Sequence, residues 1–123
     1  MARKVLIIEG TPAILEIMKD VFEGCGYSVS GALTGEEGLN KSVSESPDLV
    51  ILNTILPDTD GFEICRKIKE KISPAGLKIM MVTRVAGTID AIKARKMGAD
   101  DYCAKTEDIS HIVKAADRLM QKD

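Results

Sequence analysis

Four short runs of this chain each end on polar residues, and those endings are where chemistry is possible. Val5–Ile8 ends at Glu9-Gly10, Leu49–Leu52 at Asn53, Ile79–Val82 at Thr83-Arg84, and Tyr102–Ala104 at Lys105. A carboxylate such as Glu9 is a ligand for a hard cation, and a neutral amide such as Asn53 is a much poorer one. An ammonium, a hydroxyl and a guanidinium (Lys105, Thr83 and Arg84) form a set able to hold an inorganic anion or a nucleotide phosphate, although no Gly-rich phosphate loop accompanies them. Two readings of Lys105 stay open: a strand-end ion pair with Glu9, or an anion contact. Arg84, long and permanently charged, either reaches over a pocket to pair with Glu9 or points to solvent.

Nearby acids invite a metal reading. Asp60 reads instead as a helix N-cap and Asp58 as a solvated loop acid. The three cysteines (Cys25, Cys65, Cys103) form no CxxC pair and the only histidine is His111, which argues against structural zinc. They are expected to be buried, reduced thiols of a cytoplasmic protein. His111 is expected at the surface, Met80-Met81 in the core, and Lys93, Arg95 and Lys96 on a solvated helix face.

The elements that must position these residues follow from length and pattern. The 123 residues suit one domain, residues 1–123. Apolar residues make up 45% and charged residues 29%, which is not the composition of a disordered chain. Seventeen basic against nineteen acidic residues give a net charge of −2, so direct nucleic-acid binding is not expected. With no Trp, two Tyr and two Phe, a base-stacking platform is not expected either. No stretch approaches the ~20 apolar residues of a membrane helix. Glu9 ends the Val5–Ile8 run too soon for a signal peptide.

Near-continuous aliphatic runs mark strands buried on both faces: Val5–Ile8, Leu49–Leu52 and Ile79–Val82, with weaker ones at Tyr27–Ala32 and Tyr102–Ala104. Between them lie helix signals. Thr11-Pro12 is an N-cap followed by Pro at the first helical position, with Ile14, Ile17, Met18, Val21 and Phe22 at helical spacing before Gly24 and Gly26. Thr34/Glu37 and Asp60/Glu63 have capping-box spacing. After Asp60, Phe62, Ile64, Cys65 and Ile68 precede a stop at Pro74. Ile89, Ile92 and Met97 lead to Gly98, and Thr106 is expected to cap a last helix holding Ile109, Ile112, Val113, Ala116 and Leu119. The βαβαβαβαβα order predicts a doubly wound, flavodoxin-like α/β fold: a five-stranded parallel sheet, order 2-1-3-4-5, with helices on both faces and the site at the carboxyl ends of the strands.

The segment Pro47–Cys65 resembles the central signature of the two-component receiver domain (CheY-like), and Met97–Lys105 resembles its C-terminal signature. With Val5–Ile8 before an acidic position, the resemblance covers essentially the whole chain. It implies a phosphoacceptor aspartate at the third strand end, two acids for Mg²⁺ after the first strand, a phosphoryl-contacting Thr at Thr83, an aromatic switch at Tyr102 and a phosphoryl-contacting Lys at Lys105. Here the acceptor position holds Asn53, and the acidic pair is reduced to Glu9-Gly10. Thr83, Tyr102 and Lys105 match. Arg84 stands where a small residue is usual, as a possible pocket filler, and Thr106 where proline is usual.

These departures predict an atypical pseudo-receiver that is not an enzyme. Mg²⁺ binding is expected to be weak or absent, with Glu9 as the one weak candidate ligand. Thr83 reads either as a satisfied hydroxyl or as a retained switch. The chain is expected to act in a phosphorelay pathway through protein partners, a histidine kinase or another signalling protein. The surface for them would be formed by Ile89–Met97, Tyr102–Cys103 and Ile109–Leu119, with a homodimer left open and no membrane or direct nucleic-acid contact. The alternatives are a conventional phosphoacceptor, through an engineered Asn53 or another acceptor such as Asp58, and a small-anion or nucleotide sensor. The chain is read as ending after the fifth helix, either alone or excised from a longer protein.

Overall fold

A computed structural model describes residues 3–72, 76–83, 88–104 and 109–121, with Thr88 and Ile89 as backbone only. Strands and helices alternate: β1 (Lys4–Ile8), α1 (Pro12–Gly24), β2 (Ser28–Ala32), α2 (Gly35–Ser44), β3 (Leu49–Asn53), α3 (Gly61–Lys71), β4 (Lys78–Thr83), α4 (Thr88–Lys96), β5 (Asp101–Ala104) and α5 (Ser110–Gln121). All the strand pairings are parallel, and the sheet order is β2-β1-β3-β4-β5, as the alternation predicts.

The aliphatic runs form the central strands because both of their faces are covered. Leu6, Ile8, Val50, Leu52, Ile79 and Met81 face one cluster, closed by Ile64, Cys65 and Ile68 of α3 and Ala94 of α4. The alternate residues Val5, Ile7, Leu49, Ile51, Met80 and Val82 face a second cluster, closed by Met18 and Phe22 of α1 and by Ile112, Val113 and Ala116 of α5. This period of two divides each run between two cores. Met80 and Met81 are core residues, as expected.

Several helix boundaries follow from local chemistry. Thr34 Oγ1 accepts the Glu37 N–H, and Glu37 Oε1 accepts the Leu33 N–H, one residue before the cap. Asp60 Oδ1 accepts the Glu63 N–H, but Glu63 turns its carboxylate to Arg66 rather than back to the cap. Thr11 precedes Pro12 as expected, yet its side chain makes no cap bond. Gly98, at φ 102°, closes α4 in the left-handed region that suits glycine. On the edge strand β2, Lys41 Nζ donates to the Gly31 carbonyl at 2.6 Å. With Glu37 on Leu33, that side-chain pair covers two backbone groups near the open edge.

Other expectations are corrected. Tyr27 lies before β2 rather than in it. Its ring meets Phe22 edge-on at 5.4 Å, and its hydroxyl donates to Asp117 of α5. Burial, then the Asp117 carboxylate, push the phenol well above its usual range. Asp58 is the exposed loop acid expected, and it is a cap as well: its carboxylate accepts the Gly35 and Glu36 N–H groups, at 2.8 and 3.0 Å, at the amino end of α2, where bare N–H groups and the helix dipole favour an anion. These two bonds hold its carboxyl below the usual value of 3.8. His111 is half-buried, its Nε2–H donating to the Ala104 carbonyl. Of the three thiols only Cys65 is buried, Cys103 is intermediate and Cys25 is exposed; burial pushes the Cys65 and Cys103 thiols up to about 11. The expected signals at Pro74 and Thr106 lie outside the described residues. Among the described residues no helix is long and apolar enough to cross a membrane.

Ile51 sits at 1% exposure in the second cluster. Ile51→Ala is expected to cost about 2–5 kcal/mol, read from urea unfolding midpoints, because the site is enclosed by strands that cannot collapse onto the gap. Asp58 binds fewer protons folded than unfolded, so its contribution is present above pH 3.8 and is lost as pH falls through the lower folded value. The stability difference between wild type and Asp58→Asn should therefore shrink on acidification below pH 3.8, as measured by urea unfolding at a series of pH values.

Candidate functional site

Sheet register gathers the polar strand ends at one edge of the molecule. Ile8 pairs with Leu52 and Asn53 with Val82, so Glu9, Asn53 and Thr83 leave the sheet side by side. The crevice lies where β1 and β3 send their helices to opposite faces, the place where doubly wound sheets bind ligands.

Glu9 follows β1, donates its N–H to the Ala32 carbonyl at 3.0 Å and is buried. A carboxylate in that position must be met by donors. Glu9 Oε1 accepts from Asn53 Nδ2 at 2.8 Å, and Glu9 Oε2 accepts the Thr11 N–H at 3.0 Å. Asn53 Oδ1 in turn accepts the Ile55 N–H at 3.3 Å. This fixes the amide orientation: a carboxylate only accepts and an N–H only donates. Asn53 therefore bridges the β1–α1 turn and the β3–α3 loop.

The backbone around Asn53 is pinned as well. A Cβ on Gly61 would lie 2.0 Å from the Asn53 carbonyl oxygen, so only glycine lets α3 begin there. The Gly61 N–H donates to the Thr54 carbonyl at 2.7 Å. At Gly10 a Cβ would lie 2.7 Å from Pro57 Cδ. The proline ring thus fills the place where a side chain at position 10 would begin.

Thr83 ends β4, buried at 7%. Its hydroxyl accepts from Thr54 Oγ1 at 3.1 Å, and the Thr54 N–H donates to the Val82 carbonyl at 3.2 Å. Thr54 is a site residue that the sequence reading did not single out; the signal available was a hydroxyl directly after the strand-end amide. The cavity above, about 660 Å³, is lined by Glu9, Asn53, Thr83 and Pro57, with Phe62 and Lys93 on its α3–α4 side. Lys93 is a second missed residue: its ammonium lies 4.6 Å from the Phe62 ring centroid, a cation–π distance. Tyr102 stands in β5, packed against the α3–α4 cluster, and is not among the described residues lining the cavity. Lys105 and Arg84, and with them the pairings foreseen for Glu9, lie outside the described residues. Asp58 does not line the cavity, being held on α2.

The donors present do not suit a divalent cation. Asn53 turns its NH₂ rather than an oxygen toward Glu9, and both Glu9 oxygens accept protein N–H groups. Among the described residues no three His, Cys, Asp or Glu side chains stand together as a metal site. Mg²⁺ keeps its waters unless carboxylates and phosphate oxygens replace them.

Comparison with known proteins places this geometry. The model of the response regulator receiver domain matches residues 5–117. The chain is 31% identical over 119 residues to the DNA-binding dual master transcriptional regulator RpaA of Synechocystis, covering 97% of this chain and 49% of that protein. It is 33% identical over 105 residues to the alkaline phosphatase synthesis transcriptional regulatory protein PhoP of Bacillus subtilis, covering 85% of this chain and 43% of that one. The chain thus spans about half the length of these relatives. A CheY-like receiver domain protein of Methanospirillum hungatei superposes with a TM-score of 0.91 at 29% identity, over 99% of this chain and 96% of the other. With its parallel sheet in the order 2-1-3-4-5 and a match over nearly its whole length, the chain belongs to the response regulator receiver domain family, the signalling modules of two-component systems.

Proposed function

We propose that this receiver takes no phosphoryl group at position 53 and acts as a protein-interaction module in a two-component pathway, in a conformation set by its own residues. Residues 1–123 form one receiver-like unit in this reading, and the unit works in the cytoplasm. The carrying observation is the 2.8 Å hydrogen bond from Asn53 Nδ2 to Glu9. Acyl-phosphate formation needs a carboxylate oxygen as nucleophile. The Asn53 amide nitrogen has its lone pair delocalised into the carbonyl and its protons directed at Glu9. Mg²⁺ binding is correspondingly weak, since Glu9 is the one acid of the usual pair that remains and Gly10 supplies no ligand. Thr83, engaged with Thr54, and Tyr102 keep family positions without a phosphoryl group to report.

The partner surface in this reading is formed by α4, β5 and α5. Ile92 is 52% exposed on α4, with Lys93, Arg95 and Lys96 exposed around it, and Lys114 and Arg118 are exposed on α5. An exposed aliphatic anchor among basic groups fits an acidic protein surface. The net charge of −2 does not favour a polyanion such as DNA.

Treatment with acetyl phosphate and Mg²⁺, read by intact-protein mass spectrometry, is expected to add no phosphoryl group. A stoichiometric adduct would overturn the reading. Ile92→Ser is expected to change unfolding free energy by less than about 0.5 kcal/mol, as for a side chain free to meet a partner; thermal unfolding checks it.

A further inference from the structure

Besides the Thr54 bonds to β4, four contacts hold the loop between β3 and α3. Ile55 is held by Asn53 Oδ1, and Pro57 sits against Gly10. Asp58 is fixed to the amino end of α2, and Gly61 to Thr54. The first of these also ties the loop across to Glu9 and, through Glu9 Oε2, to the Thr11 N–H. None of the four requires a cation in the cavity.

We propose that Asn53 is a built-in, uncharged clamp that closes the site without metal, so that the closed loop is the permanent state of this chain. The inference rests on the reading of position 53 as unphosphorylated and adds how the resting conformation is fixed. The amide is the side chain of aspartate's size that meets both neighbours at once, donating to the Glu9 carboxylate and accepting from Ile55. An aspartate there would meet Ile55 equally well, but would set a second carboxylate against Glu9 at the 2.8 Å contact. Two carboxylates so close repel each other, and a shared proton or a cation bound between them relieves that repulsion. The single change Asn53→Asp should therefore convert a metal-indifferent fold into a metal-responsive one. Pro57, seated in the space of a side chain at position 10, belongs to the same closure. A larger residue at that position would have to lift the loop.

The test is thermal unfolding of the full chain in EDTA and in millimolar MgCl₂. Wild type should melt at the same temperature in both, within about one degree, and Asn53→Asp should melt roughly 3–5 °C lower in EDTA and recover with Mg²⁺. A wild-type melting temperature that rises with Mg²⁺, or an Asn53→Asp protein as stable as wild type in EDTA, would overturn the clamp. If Asn53→Asp does not fold, Asn53→Ala serves. Its Ile55 amide, left without the Oδ1 acceptor, should exchange with deuterium at least about tenfold faster than in wild type, with no response to Mg²⁺; unchanged exchange would sink the proposal. Phosphorylation elsewhere in the chain would appear in the mass measurement and leave the melting comparison intact, so the two readings fail separately.

Discussion

A carboxylate taken out of water must find donors, and Glu9, at 3% exposure, is the point on which this site turns. Burying an unmet charge is costly enough to decide the conformation of its neighbours. The Thr11 N–H meets one oxygen, which sets the entry of α1 and leaves the Thr11 hydroxyl out of the capping role. The Asn53 amide meets the other, which brings the end of β3 into register with the end of β1. Asn53 then has one acceptor left, and it goes to Ile55 at the start of the loop. Each step is a donor matched to an acceptor, and the chain of matches runs across two strands and two loops.

In the proposed reading, what this arrangement trades away is the phosphoryl chemistry of the family. A receiver that accepts a phosphoryl group presents carboxylate oxygens and holds a cation against them. Here the one strand-end carboxylate of the described cavity floor is occupied by protein N–H groups, and the group facing it is an amide. The Thr54–Thr83 hydroxyl pair is closed in the same way. The site keeps the family's architecture while its polar groups are turned on one another.

The two faces of the sheet serve different ends. The cluster with α1 and α5 is closed by large apolar side chains such as Met18, Phe22 and Met120. The α2 side relies on close approach instead: a Cβ on Gly38 would lie 2.4 Å from Ile8 Cδ1. With little apolar surface of its own, α2 is held at its start by Thr34 and Asp58. The same Asp58 that steadies this helix fixes the loop over the cavity, so the packing of α2 and the shape of the site are one constraint.

Much of this was legible in the chain. Aliphatic runs become parallel strands because both faces must be apolar, and the right-handed crossover leaves few orders for five of them. Glu9, Gly10, Asn53 and Thr83 could therefore be placed at one edge from the sequence alone, and Asp60 and Gly98 named as boundaries by local backbone chemistry. Tertiary structure decided which polar group meets which. Asn53 and Glu9 are 44 residues apart, Thr54 and Thr83 are 29 apart, and Asp58 reaches back 23 residues to Gly35. Lys93 on Phe62, Pro57 in the space at Gly10 and His111 on Ala104 are of the same kind. Hydrophobic periodicity says which face of an element is buried, but a hydrogen bond across the sheet depends on register and loop path, to within an ångström. Only the folded backbone sets those distances.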